Sequence, residues 1–80
     1  MTRSAHWVEL RGKVMSEPRP VDSDYIFRFD ANGQIYEVIL KVRRRDVKVD
    51  KEVVVAGFLI DRNLLAYKCK PVRKPIREVL

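Results

Sequence analysis

Residues Tyr25 to Val42 read YIFRFDANGQIYEVILKV, and this stretch decides the fold. It consists of two runs of aromatic and β-branched residues, joined by the turn sequence DANG at residues 30–33. Such residues suit a half-buried pleated strand, and Asn-Gly supplies the positive φ angles that a tight turn needs. The stretch therefore predicts a β-hairpin with one wholly apolar face and one face that carries charge.

The apolar face of this hairpin needs cover, because an isolated hairpin is only marginally stable in water. The chain has 80 residues, of which 46% are hydrophobic, a composition typical of a folded domain. A chain this short buries only about 60% of the surface that its unfolded form exposes. We therefore expect one small globular domain of modest stability.

Three further segments have the pattern of strands. His6–Met15 alternates strictly between apolar and polar residues, Glu52–Ile60 is the most apolar run, and Leu64–Val72 forms the last strand. Gly12 and Gly57 lie inside the first and fourth predicted strands, where a glycine indicates a bend, a bulge or a close approach of another backbone. The sequence thus predicts an all-β fold, a small five-stranded antiparallel barrel with little or no helix.

The remaining segments are interpreted as loops and tails. Residues 1–5 are expected to form a disordered leader, residues 6–72 the barrel, and residues 73–80 a basic C-terminal tail. Residues 16–24 contain two prolines with Ser and Asp, which predicts a loop. Residues 41–51 hold six basic and two acidic side chains and predict an extended loop or a single irregular turn.

Four segments of the chain read VELRGKV, YIFRFDANGQIYEVIL, VKVDKEVVVAGFL and LLAYKCKPV. In this order they resemble the OB-fold of the kind that binds nucleic acid, especially its anticodon-binding and single-strand-binding modules. In that family a hydrophobic residue, an Asp or Gly and a Val-x-Val-x-Gly run open the fourth strand. The residues that fit this pattern are Val49, Asp50, Val53, Val55 and Gly57. The resemblance spans roughly residues 7–72 and implies an OB-fold-like barrel that binds nucleic acid.

One departure from the family is the connection between the third and fourth predicted strands. It is too short for the helix that usually plugs one end of an OB barrel. A relative with a looped connection therefore stays open, and so does a different small barrel such as an SH3-like one.

Charge favours a polyanionic partner. The chain carries 17 Lys plus Arg against 11 Asp plus Glu, a formal net charge of +6. A small protein this basic attracts polyanions, of which nucleic acid is the commonest.

Cys69 is the single cysteine, so a reducing, cytoplasmic location is expected. No apolar run of about 18 residues is present, so we expect no membrane partner.

The sequence offers no catalytic constellation. His6 is the single histidine and is interpreted as a residue at the start of a strand, while Cys69 is expected to be a small buried apolar residue. Neither has a companion at metal-ligand spacing, and no Gly-rich phosphate loop or nucleophile elbow is present. We therefore expect no enzyme activity, no metal and no cofactor.

For binding, the outward faces of the first three predicted strands combine aromatic and apolar groups with Arg and Lys. Trp7 is the sharpest candidate, because a lone Trp in the polar register of a strand predicts an exposed ring that a base could stack on. The same ring could instead cap the open end of the barrel or contact the C-terminal tail. The cations of the loop at residues 41–51 and of the last strand could extend this positively charged surface. The predicted nucleic-acid-binding residues are Trp7, Arg11, Lys13, Arg28, Lys41, Arg43, Arg44, Arg45, Lys68 and Lys70.

Two functions from different classes compete. The first is a non-enzymatic module that binds single-stranded DNA or RNA by aromatic stacking and phosphate contacts. The second is a protein-interaction or assembly module, a homo-oligomer or part of a larger complex, whose positive charge serves solubility. Its interface would use the apolar residues Trp7, Ile26, Ile39, Ile76, Val79 and Leu80. For each charged residue alone, a plain solvated surface remains the simpler interpretation.

Overall fold

The computed structural model describes residues 4–41, 44–45 and 47–72. Within these residues the chain forms six strands and no helix. The strands are β1 (His6–Val14), β2 (Arg19–Val21), β3 (Asp24–Ala31), β4 (Gln34–Leu40), β5 (Glu52–Ile60) and β6 (Asn63–Pro71). The predicted tail at residues 73–80 lies outside the described residues, as do Arg43 and the first three residues of the predicted leader.

Five of these strands close into a barrel, which confirms the predicted fold. The order around the wall is β1-β5-β6-β4-β3, and pairing of β1 with β3 closes the ring. Closure leaves few exposed strand edges and encloses one core, as in a small OB-fold-like barrel.

Two details differ from the prediction. β2 is a sixth, three-residue strand that pairs with β3 within the expected loop. β4 and β6 pair in parallel, whereas the barrel was expected to be antiparallel throughout. The parallel pair arises from the path of the chain. After β4 the chain crosses to β5, which pairs with β1, and β6 then lies between β5 and β4.

The central hairpin forms as its sequence predicts. β3 and β4 pair in register from Tyr25–Leu40 to Ala31–Gln34, which leaves a two-residue turn. Both turn residues have positive φ, 55° at Asn32 and 80° at Gly33, as a type I′ turn requires. This turn matches the right-handed twist of the two strands and fixes their register.

The core lies inside the barrel and is built by the alternate residues of each strand. On β1, β3 and β4, eight alternating apolar residues are buried or partly buried and packed together: Val8, Leu10, Val14, Phe27, Phe29, Tyr36, Val38 and Leu40. Val47, from the loop after β4, joins the same core and is only 3% exposed. This loop therefore contributes a side chain to the core where an OB barrel usually carries a helix.

Two glycines permit backbones to pass very close to each other. A Cβ on Gly12 would lie 2.1 Å from the carbonyl oxygen of Asp30, and a Cβ on Gly57 would lie 1.9 Å from that of Leu65. Both distances are far inside van der Waals contact, and the obstacle is backbone rather than a movable side chain. These are the close approaches that glycines within the strands predicted.

Candidate functional site

A bulge in β6 shapes the outer surface. On β5, Ala56 pairs with Lys68 and the next residue, Gly57, pairs with Ala66, so Tyr67 is the extra residue of β6. A bulge shifts the alternation of side chains by one position. Tyr67 and Lys68 therefore both point outward. Without a bulge, Tyr67 and Cys69 would lie on the same face of the strand, whereas Cys69 is buried and Tyr67 is 69% exposed.

Tyr67 belongs to an aromatic cluster, which we define as Trp7 of β1, Phe58 of β5 and Tyr67 of β6. The ring of Trp7 lies 5.1 Å from that of Phe58, edge to face, and 5.9 Å from that of Tyr67. Phe58 and Tyr67 are 5.8 Å apart, also edge to face. Trp7 is 51% exposed and Phe58 37%. The rings of the cluster thus pack against one another while leaving ring surface open to solvent.

Strand register places the cluster at one end of an apolar row on the outer wall. Trp7 pairs with Phe58, Phe58 with Leu65, and Leu65 with Ile39. Ile39 pairs in turn with Ile26 on β3. Because paired residues share a face, these five side chains form one continuous line across five strands. An outward apolar line of this length is unusual for a surface that faces only water.

A basic groove lies beside the middle of this row. In the described residues, β4 stops pairing with β6 at Leu40–Ala66, while β6 continues to Pro71. The wall opens there into a cavity of about 640 Å³. Its described lining includes four cations and no acidic residue: Lys41, Arg44, Lys68 and Lys70. The floor and sides are apolar or aromatic, formed by Ile39, Leu40, Leu65, Ala66, Tyr67 and Cys69.

Positive charge continues past the groove through Arg44, which also lines a second cavity of about 470 Å³. Among its described lining residues, that cavity adds the cations Arg45 and Lys48 and one acid, Glu17. At the first cavity, Lys41 forms an ion pair with Asp24 at 2.9 Å, which compensates part of its charge. The two cavities together bring six cations to one side of the barrel.

The structure thus brings together several of the predicted binding residues. Lys41, Arg44, Lys68 and Lys70 line the basic groove, and Arg45 lies in the adjoining cavity. Trp7 reaches the groove through its ring contact with Tyr67. The role of these residues in binding stays a prediction.

Three other predicted residues lie elsewhere, each beside an acid. Arg11 donates hydrogen bonds to the carboxylate of Glu52 at 2.8 and 3.4 Å. This hydrogen bond and the charge of Glu52 raise the pKa of Arg11 above its ordinary value. Lys13 pairs in register with Asp30 and Glu52, and Arg28 pairs in register with Glu37. A neighbouring carboxylate repels phosphate, so these three positions are less favourable for a phosphate contact than the groove is.

Sequence reasoning missed Tyr67, Phe58 and Leu65 as site residues. Phe58 and Leu65 were placed in the fourth and the last predicted strand but were not assigned to a face of the barrel, since no residue pattern revealed which side of these strands faced outward. The only sequence signal for Phe58 is the preceding Gly57, because a glycine within a strand often marks a bulge that changes the alternation.

Two further features, a metal site and a membrane-spanning helix, have no basis in the described part of the chain. It contains no group of three or more His, Cys, Asp and Glu side chains placed to hold a metal ion. It also contains no helix of the length and apolarity needed to cross a membrane. What this surface offers is a combination of exposed aromatic rings, apolar side chains and cations.

Comparisons with known proteins add no family to this picture. No protein-family model matches the chain, and neither the curated proteins nor the solved structures contain a match.

Proposed function

We propose that the protein is a non-enzymatic module that binds single-stranded nucleic acid. The observation that carries the proposal is the basic groove, where Lys41, Arg44, Lys68 and Lys70 surround an apolar floor next to the aromatic cluster. Phosphates would contact the cations, and bases would stack on the rings of the cluster. The formal net charge of +6 would speed the encounter with any polyanion.

Unpaired bases fit this surface better than a duplex does. Stacking on an aromatic ring requires a base whose flat face is exposed, and in a duplex these faces are covered by neighbouring base pairs. Tyr67 offers the most exposed ring and also lines the groove. A strand could therefore place a base on Tyr67 and its flanking phosphates on Lys68 and the other groove cations.

The first test measures binding of a fluorescently labelled single-stranded oligonucleotide of about 15 nucleotides, by anisotropy, over a series of salt concentrations. Each phosphate contact on a single strand contributes about −0.7 to the slope of log K against log salt. Four groove cations predict a slope of about −3. Binding should also quench the fluorescence of Trp7, the only tryptophan. A slope near zero with unchanged Trp7 emission would contradict the proposal.

Stacking is tested by replacing Tyr67. We expect Tyr67→Ala to weaken binding by about 5- to 150-fold, since a stacked base contributes about 1 to 3 kcal/mol. Stability should change little, because the side chain is 69% exposed. The matched control is Tyr67→Phe, which keeps the ring and should retain affinity within about twofold. Equal losses in both variants would show that the hydroxyl, and not stacking, matters.

A second candidate function is assembly with another protein, and the apolar row is the observation that favours it. Trp7, Phe58, Leu65, Ile39 and Ile26 would suit an interface core, where aromatic residues are enriched and charges depleted. The test is light scattering coupled to size-exclusion chromatography over a range of protein concentrations. A concentration-dependent oligomer, together with no response to oligonucleotide, would favour assembly over nucleic-acid binding.

A further inference from the structure

The basic groove has features that a simple track for phosphates does not need. A phosphate track requires only cations, whereas this cavity also has an apolar floor, which includes Leu65 and its neighbour in the sheet, Ile39. Six of its ten described lining residues are apolar or aromatic. Contact with a flat, largely apolar group such as a base would remove the surface of this floor from water, which favours binding.

The dimensions and charge of the groove also suit a small ligand. Its volume of about 640 Å³ falls within the range of about 300–1,000 Å³ that small-molecule pockets occupy. The cations Lys41, Arg44, Lys68 and Lys70 contribute lining atoms around this floor, so an anionic group and an apolar group can be held by the same cavity. A nucleotide carries both groups, with its phosphates a short distance from its base.

Three other cavities in the described part of the chain each have at least one carboxylate in their lining. The one that adjoins the groove mixes Arg44, Arg45 and Lys48 with Glu17. The cavity beside Gly12 combines two lysines with three carboxylates, from Asp30, Asp50 and Glu52. A carboxylate in the lining repels phosphate, so these cavities are poorer sites for a polyphosphate.

We propose that the basic groove binds free nucleoside polyphosphates, with the base on Leu65, Ile39 and the ring of Tyr67 and the phosphates on the surrounding cations. The inference rests on the proposed function, since the same groove would serve a bound strand. It adds a small-molecule ligand that competes with that strand. Nucleoside polyphosphates would then lower occupancy of the protein on single-stranded nucleic acid.

The test uses isothermal titration of the whole protein with ATP, adenosine and tripolyphosphate, at about 50 mM salt and without divalent ions. We expect ATP to bind at least about tenfold more tightly than either fragment, because only ATP engages the floor and the cations together. ATP should also displace a bound oligonucleotide. Equal affinity for ATP and tripolyphosphate would overturn the proposal, because it would mean that the base makes no contribution.

Two pairs of variants locate the site. Leu65→Thr should weaken ATP at least about fivefold and leave tripolyphosphate unchanged, whereas Ile35→Thr, on the outer face of β4 away from the groove, should change neither. The double change Lys68→Ala, Lys70→Ala should weaken both ligands at least about tenfold, and Lys13→Ala, Lys51→Ala should weaken each less than about twofold. Equal effects within either pair would overturn the assignment to this groove.

The same measurements separate this inference from the proposed function. If the oligonucleotide binds with the expected salt slope and Trp7 quenching but ATP neither binds nor competes, the small-ligand inference fails and strand binding stands. If neither ligand binds, both fail.

Discussion

Gly57→Ala should destabilise the barrel severely, lowering the free energy of unfolding by about 3 kcal/mol or more. The added Cβ would lie 1.9 Å from the carbonyl oxygen of Leu65 and 2.9 Å from the Cα of Ala66. Both obstacles are backbone atoms of the neighbouring strand, so β5 and β6 would have to separate at the bulge. Because a domain of this size has only about 5–15 kcal/mol to lose, the variant should unfold at a much lower urea concentration than the unchanged protein.

Urea unfolding, followed by the fluorescence of Trp7 and by circular dichroism, measures this effect. Gly33→Ala is the control, because nothing lies within 4 Å of a Cβ at this position. Its cost should be only about 1–2 kcal/mol, from the positive φ of 80°. A Gly57→Ala protein as stable as the Gly33→Ala protein would contradict the close approach of β5 to β6.

Reversing two groove charges should nearly abolish nucleic-acid binding. For the double change Lys68→Glu, Lys70→Glu we expect a loss of affinity on the order of 100-fold at about 50 mM salt. Two phosphate contacts would be removed, and the new carboxylates would repel the strand. Both side chains are exposed, so the circular dichroism spectrum and the unfolding midpoint should stay close to those of the unchanged protein.

The control for this prediction is Lys13→Glu, Lys51→Glu, which changes the net charge by the same amount on the side with Asp30, Asp50 and Glu52. Its loss of affinity should be less than about fivefold, because only the long-range field changes. Equal losses in the two double variants would mean that overall charge, and not the groove, determines binding.

Much of the fold could be predicted from local sequence signals. The hairpin followed from Asn32 and Gly33, whose positive φ angles are confirmed, and the barrel followed from strand periodicity together with Gly12 and Gly57. β2 was missed because its three residues include Pro20, and prolines were taken to exclude pairing. At the edge of a sheet, a proline nitrogen can face away from the partner strand, so this short strand is compatible with it.

The site was less predictable, because it depends on contacts between residues distant in the chain. Lys41 and Lys68 line one groove only because β4 and β6 pair in parallel, which no local pattern indicates. Tyr67 is exposed because a bulge interrupts the alternation in β6. For Arg28 the direction of the side chain could be predicted, but its neighbour could not. It points outward as predicted, but its cross-strand neighbour is Glu37, and that pairing was not considered from sequence.

Nuclear magnetic resonance of the ¹⁵N-labelled protein, titrated with a single-stranded oligonucleotide, tests the central claim most directly. The claim is that the cations beside the aromatic cluster form the binding surface. The backbone signals of Lys41, Tyr67, Lys68 and Lys70 and the indole signal of Trp7 should shift progressively, while those of Lys13 and Lys51 stay in place. Shifts confined to Lys13, Lys51 and their neighbours, or no shifts anywhere, would contradict it.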